Sequence, residues 1–490
     1  MLEIITVLLL GTFYGLLIGI IPTAGATTGL VITFSFLHFF PDPYLAVLFC
    51  MALVAASTTG DSYASVLLNI PGANSAATTM LDGYPLARQG KANLALSSAI
   101  ISSTVNGLIW GCLTFLLIPY YKNIVLYMGI PELWAFTILA FTFVVFISSK
   151  WWLRGLIALA FGVWLGMIGI NPYDASDRFT FGWYYLADSV QIVPVAVGLF
   201  AIPEIIAGLR NKALTDYTFG HTTGQTKQAF VEVWKNRWLS LRGGFIGAVV
   251  GLLPGLGGAI ADWIAYGQTV ATNPNERIPF GKGNVKGVIG PEGANNSQKA
   301  TSMITTMLFG IPGAKYAAML MALFAYLNFE LGTPDLLDDE KFIFHLTFGF
   351  LCATILVCFI CLSCNKQIAR ITKVPFVYYA IPLTALVIWT AVQYTGGWED
   401  YVILAIMSVI GLICKYGKFS RPALLIGFIL SDRIEGLSIQ ITTLYNLDTL
   451  ITRPLFIILV MTIVTVLIYG INRKTKPVSY THLTLPTRNC

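Results

Sequence analysis

The stretch Gly11-Thr12-Phe13-Tyr14-Gly15-Leu16-Leu17-Ile18-Gly19-Ile20-Ile21-Pro22-Thr23-Ala24-Gly25 decides the fold. It is apolar, carries glycine at every fourth position, and breaks at a proline. Glycines four apart lie along one face of a helix, where they let a second backbone approach closely in lipid. Pro22 removes a main-chain donor and ends or kinks that helix. The pattern returns 232 residues later: Gly243, Gly247, Gly251, Pro254 and Gly257 match Gly11, Gly15, Gly19, Pro22 and Gly25 position for position. A second pair of breaks follows, Asn69-Ile70-Pro71-Gly72 in the first half and Gly310-Ile311-Pro312-Gly313 in the second.

The surroundings of these repeats are lipid-like. Of 490 residues, 56% are hydrophobic and 11% charged, against roughly a quarter charged in a soluble domain. Residues 94–120, 133–149, 344–364 and 454–472 carry no formal charge, and a bilayer is crossed by about 20 apolar residues. The chain is therefore read as an all-α, polytopic membrane protein. The net charge of +6 comes from lysines and arginines between the apolar blocks, a pattern of membrane topology rather than of nucleic-acid binding. Residues 1–10 are apolar without a basic start, which reads as a first membrane helix rather than a cleaved signal. Cys358, Cys361 and Cys364 share an apolar segment without a histidine or carboxylate close to them on the metal-binding face, and read as packing.

Alternating charge orients the chain. Arg88 and Lys91 lie inside; residues 94–119 cross outward; 133–148 return to Lys150 and Arg154; 155–170 cross to an acidic loop with Asp174, Asp177 and Asp188; 190–209 return to a basic connector. In the second half the Ile-Pro-Gly break leads to an acidic outside stretch, Asp335, Asp338, Asp339 and Glu340, where the first half's break leads inside. Residues 342–363, 375–394, 401–414, 422–432 and 453–472 supply the remaining apolar segments. Two inverted repeats of roughly 5–6 transmembrane helices each, with broken or re-entrant hairpins, follow from this alternation. The expected divisions are 1–210, a first membrane repeat; 211–240, a cytoplasmic connector with room for an amphipathic helix; 241–476, a second repeat; and 477–490, a polar tail that reads as a sequencing or assembly scar.

In hydrocarbon a broken helix is tolerated only beside a cavity or within protein. Its freed N–H groups suit a carboxylate and its freed carbonyls a cation. The breaks therefore nominate a substrate site from Pro22, Thr23, Gly25, Asn69, Pro71, Gly72 and Asn74 in the first half. The second half supplies Pro254, Gly255, Gly257, Asn295, Asn296, Pro312 and Gly313. The polar run Ser57, Thr58, Thr59, Asp61 and Ser62 is nominated for a coupling ion, because an ionisable residue inside apolar sequence is expensive and usually functional. Lys299 and Lys315 flank the second Ile-Pro-Gly break and suit an anion, or else snorkel to the interface. Asp82-Gly83-Tyr84-Pro85 reads as an inside loop with a turn. No phosphate-binding loop and no Ser-His-Asp pattern is present, so no cofactor is expected and an Na+ or H+ gradient would drive transport.

These motifs together resemble the large membrane subunit of the tripartite tricarboxylate transporters. The stretches 67–72, 82–87, 178–182, 198–204, 251–255, 280–283, 291–296, 310–313 and 453–454 carry the likeness, which runs from about residue 11 to 454. The resemblance implies a permease working with a small membrane subunit of about four helices and an extracytoplasmic solute-binding protein. It also implies import of citrate-like carboxylates with Na+ or H+ across a bacterial inner membrane. Two departures fall at the nominated site: Pro22-Thr23-Ala24-Gly25 stands where Pro-Gly is usual, and Asp61 where glycine is usual. The contrasting reading is an intramembrane enzyme acting on lipid or peptide, using Asp61, Asp82 and Glu292; duplicated breaks argue against it, since a single active site has no need of them. A channel is a third reading, and would need no binding-protein partner.

Overall fold

A computed structural model describes residues 2–21, 25–70, 73, 76–120, 127–146, 151–171, 176–210, 222–253, 257–372, 377–391 and 397–472. The described chain is nearly all helix. The first half runs α1 (Leu2–Ile20), α2 (Gly25–Thr33), α3 (Pro43–Leu68), α4 (Thr79–Arg88) and α5 (Ala92–Leu116). It continues with α6 (Ile130–Phe146), α7 (Trp152–Gly166), α8 (Ile192–Ala196) and, beyond a π turn at Val197–Ala201, α9 (Ile202–Arg210). The connector holds α10 (Thr222–Lys235). The second half runs α11 (Arg237–Gly251), α12 (Gly257–Thr272), α13 (Lys286–Phe309), α14 (Lys315–Tyr326), α15 (Pro334–Asp338) and α16 (Glu340–Ile371). The last helices are α17 (Val377–Ala391), α18 (Glu399–Tyr416), α19 (Arg421–Ile429), α20 (Ser431–Leu444), α21 (Leu447–Ile451) and α22 (Pro454–Asn472). A two-residue antiparallel pair, Gly169–Ile170 with Asp177–Arg178, is the departure from pure helix.

Two helices form the centre. Every residue of α3 from Leu45 to Leu68 is buried, and α13 is buried from Gly287 to Leu308. Neither is apolar throughout, so the middle of the molecule is polar where a membrane protein most resists polarity. α1 packs along α3 and α11 along α13; α5 lies against α3, α11 and α13, and α16 against α1, α3 and α5. The glycine faces explain the pairing. A Cβ on Gly11 would stand 2.8 Å from the Phe49 carbonyl oxygen, and one on Gly15 2.5 Å from that of Leu53. Gly19 lies as tightly on Ser57 and Gly60. In the second half Gly243 rests on Gly290, Gly247 on Ala294, and Gly251 on Gln298. The sequence periodicity thus becomes two equivalent helix clasps. Outward residues such as Leu9, Leu10 and Phe13 of α1, or Ile458 and Met461 of α22, are large, apolar and exposed, as a lipid-facing surface requires.

Among the described residues, four helical segments are long and apolar enough to cross a bilayer: Leu2–Ile20, Pro43–Leu68, Ala92–Tyr120 and Glu340–Ile371. Several other apolar helices are shorter, α14 among them, with 12 residues. At 1.5 Å per residue such a helix covers about 18 Å, well short of a hydrocarbon core of about 30 Å. The Asp82 segment differs from the reading as a turn. It is helical, α4, with Pro85 inside it, and Asp82 is bonded by partners outside its own segment, described below.

Candidate functional site

Each clasp leads into a break. α1 ends at Ile20 and α2 starts at Gly25, which is buried with φ 58°. Pro22 and Thr23 lie outside the described residues, as do Pro71, Gly72 and Asn74 after α3, and Pro254 and Gly255 between α11 and α12. Gly257 begins α12. The flanks show how the breaks are made. α3 ends on Asn69 in the left-handed conformation (φ 55°, ψ 32°) and α13 on Gly310 in nearly the same one (φ 56°, ψ 34°). A left-handed residue closes a helix by turning the chain out of its spiral. Pro312 and Gly313 are buried beyond it, and the Gly313 N–H donates to Thr306 Oγ1 at 3.3 Å. Gly313 also lies against Ser302 and the Gly251 carbonyl, while Thr305 Oγ1 donates to the Leu252 carbonyl at 3.1 Å. The second half's two breaks are therefore adjacent. At this end of α13 the Gly332 N–H donates to the Met307 carbonyl at 2.8 Å, and the Arg433 guanidinium presses on Gly310 and Gly332.

Between the breaks, α3, α4, α12 and α13 bring buried charges together. Lys299 Nζ of α13 stands 3.9 Å from Asp61 Oδ2 of α3, with both side chains almost wholly enclosed. Ser62 donates to Glu292 Oε1 at 2.9 Å and Thr79 of α4 to the same atom at 2.8 Å. Asn295 Nδ2 reaches the other Glu292 oxygen at 3.5 Å. Asp262 of α12 lies in the field of Asp61, Glu292 and Lys299. The polar run nominated for a coupling ion is thus divided. Ser57 and Thr58 donate back to the Val54 carbonyl at 3.0 and 3.2 Å, and Ser62 is committed to Glu292. Thr59 and Asp61 are left facing the cluster without a hydrogen-bond partner among the described residues.

Open valence continues along α13. Among the described residues, no hydrogen bond reaches Asn295 Oδ1, either polar atom of the Asn296 amide, either end of Gln298, or Lys299 Nζ. Both oxygens of Asp262 are equally bare. A buried polar atom left unpaired costs about 1–3 kcal/mol, and Asp61, Asp262 and Lys299 concentrate such atoms beside Glu292. Asn295 and Asn296 were legible as candidates. Asp262 was missed, although it carries the signal that singled out Asp61, a lone carboxylate in apolar sequence (Gly258-Ala259-Ile260-Ala261-Asp262-Trp263-Ile264). Lys315 is exposed at the start of α14. Among the described residues, no group of three His, Cys, Asp or Glu side chains is arranged to hold a metal ion.

Beside the cluster stands a carboxylate that is fully satisfied. Asp82 Oδ1 accepts the N–H groups of Gly281, Gly283 and Asn284 at 2.8, 3.0 and 2.8 Å, and Oδ2 accepts the Tyr266 hydroxyl at 3.0 Å. That carboxylate is a latch between α4 and the loop before α13. Ser102, Asn106 and Ser240 form a knot joining α5 to α11, in which Asn106 Oδ1 meets no donor among the described residues. Farther along, Asn365 of α16 links Tyr63 to Asn93, and Asn93 donates to Thr226 of α10 at 2.8 Å. Gln225 of α10 bonds the Leu94 N–H and the Gly90 carbonyl, which docks the connector helix on the first turn of α5. A shallow apolar hollow along α22, lined by Ile457, Ile458, Met461 and Val466, shares no residue with the charged cluster.

Residues 5–426 match the model of the tripartite tricarboxylate transporter TctA family. An Agrobacterium vitis protein of 52.8 kDa, from the 3′ region of TAR-I ttuC′, is 28% identical over 445 residues, covering 87% of this chain and 84% of that protein. A second A. vitis protein, from the 3′ region of TAR-II ttuC′, is 25% identical over 195 residues, or 39% of this chain and 78% of that one. No solved structure matches.

Proposed function

The chain belongs to the tripartite tricarboxylate transporter TctA family, and we propose that it is the translocating membrane subunit of a binding-protein-dependent secondary transporter for small organic anions. Its substrates in this reading are tricarboxylates or related acids, imported with Na+ or H+. It works beside a small four-helix membrane subunit and receives its substrate from an extracytoplasmic binding protein, in a bacterial inner membrane. Residues 1–210 and 241–476 act as two repeats of inverted topology, of roughly 5–6 spans each, joined by the connector 211–240.

One observation carries this reading: a buried cluster, drawn from both halves, in which charged and amide groups have no hydrogen-bond partner among the described residues. A structural polar core satisfies itself, as the Asp82 latch does. A binding site holds its valences open for ligand. Lys299 and the amide donors of Asn295 and Asn296 supply a positive charge and N–H groups for a carboxylate, and the buried carboxylates and amide oxygens favour a cation. The small residues at the breaks, Gly25, Gly72, Gly255, Gly257 and Gly313 among them, allow a ligand to approach main chain closely. An anion entering together with a cation adds less net charge to the enclosed site than the anion alone, which is the electrostatic reason for coupling them.

The test is uptake of radiolabelled citrate and other di- and tricarboxylates by vesicles holding the chain with the products of its neighbouring genes. Accumulation that collapses when Na+ and H+ gradients are dissipated is the expected result. Accumulation driven by ATP alone, with gradients abolished, would overturn it.

A further inference from the structure

Four buried ionisable side chains meet at the site, and three of them have a counterpart. Asp61 has Lys299 at 3.9 Å. Glu292 has the Ser62 and Thr79 hydroxyls. Asp262 has nothing: it is 1% exposed, and neither oxygen meets a donor among the described residues. Asp82, the latch, shows how this chain treats a carboxylate kept for structure, with four donors on two oxygens. A bare, enclosed carboxylate is penalised by several kcal/mol and resolves the penalty by taking a proton or a cation.

The charged groups facing Asp262 come from two helices, Asp61 from α3 and Glu292 and Lys299 from α13. α11, which also packs against α12, offers only Gly, Phe, Ile, Ala and Val over residues 243–251. Three carboxylates therefore share one lysine, and the cluster lacks positive charge. Asp262 also stands in the second turn of α12, the helix that follows the 254–256 break, so a charge gained there is felt where the chain is interrupted.

We propose that Asp262 is the residue that accepts the coupling monovalent cation, a proton or Na+, while Lys299 acts as a tethered counter-cation that keeps Asp61 from competing for it. The proposal rests on the transport reading for its role, and for its site on the burial of Asp262 and the lack of any donor to it among the described residues. It moves the coupling function from the Ser57–Ser62 run to a residue on the opposite half. The open amide oxygen of Asn295, whose nitrogen reaches Glu292, adds a neutral ligand suited to Na+; a proton would need none.

The experiment is a melting series on the purified full chain. One arm raises NaCl against choline chloride at fixed pH, and the other lowers pH at fixed choline chloride. The wild-type chain should gain stability saturably in one arm, because the folded state holds a cation that the unfolded state releases. Na+ dependence identifies sodium, and a response to acid alone identifies the proton. Asp262→Asn should elute as a folded species and show no response in that arm, and Asp262→Glu should restore it. In vesicles Asp262→Asn should lower gradient-driven accumulation by roughly tenfold or more. A saturable response that persists in Asp262→Asn, or a wild-type chain that responds in neither arm, overturns the assignment. Wild-type vesicles that accumulate no carboxylate, together with an Asp262-dependent melting response, would instead refute the transport reading and leave the cation site standing.

Discussion

In the first half, Gly11, Gly15 and Gly19 of α1 lie on Phe49, Leu53 and Ser57 of α3; in the second, Gly243, Gly247 and Gly251 of α11 lie on Gly290, Ala294 and Gln298 of α13. The partners are displaced by the same 241 residues that separate the left-handed caps Asn69 and Gly310. The scaffold is thus duplicated down to which residue touches which. The polar chemistry is not. At that offset Thr58 stands opposite Lys299, and Asp61 opposite Ser302. Packing at a glycine seam leaves few alternatives, whereas a ligand site needs different charges from its two walls. The comparison teaches that one arrangement of backbone can be copied while its side chains are divided into complementary sets.

The comparison can be broken most sharply at the charge pair that joins the halves. Lys299→Met strands Asp61 in a closed interior and should cost about 3–5 kcal/mol, read as a fall in melting temperature of the purified chain. Adding Asp61→Asn should recover most of it; a double variant no better than the single one would mean that the two side chains do not interact. The clasps come next. Gly15→Leu and Gly247→Leu should each destabilise by about 1–3 kcal/mol, and by similar amounts. A large loss in one and none in the other would show that the seams are not equivalent. Glu292→Gln keeps the shape but removes the charge that receives Ser62 and Thr79, and should cost about 1–2 kcal/mol in the same assay. The smallest effect separates the caps. Asn69→Gly should be neutral or stabilising by roughly 0.5 kcal/mol, since it relieves a left-handed side chain. Gly310→Asn should destabilise, because Arg433 occupies the space its Cβ needs. Equal responses would erase the difference between the two helix ends.

Much of this architecture was legible in the sequence because its signals are local and repeated. Glycine spacing gave the clasp faces, and the Pro/Gly interruptions gave the helix ends at Ile20, Leu68, Gly251 and Phe309. Asp61, Asn295 and Asn296 were recognisable as polar groups in apolar surroundings, and they are buried in helices that meet. What escaped depends on distant partners. Asp82-Gly83-Tyr84-Pro85 has the composition of a turn, and its partners, the N–H groups of Gly281, Gly283 and Asn284, lie far along the chain, so its place in a helix was not visible there. Asp262 sits between Ala261 and Trp263 in a helix with polar residues farther along, so nothing in one dimension showed that its carboxylate is enclosed. The division of Ser57, Thr58 and Ser62 between their own helix and Glu292 likewise depends on rotation about the helix axis.

The steps of four on both members of each clasp have a geometric outcome. Ridges formed by every fourth residue on two helices interlock at a crossing of about −40° to −50°, a right-handed crossing of the glycine type. Turning such a pair over in space cannot change its chirality. A joint of this hand therefore fits equally whether its helices run toward one face of a bilayer or the other, so the seam itself places no constraint on the direction in which either copy crosses.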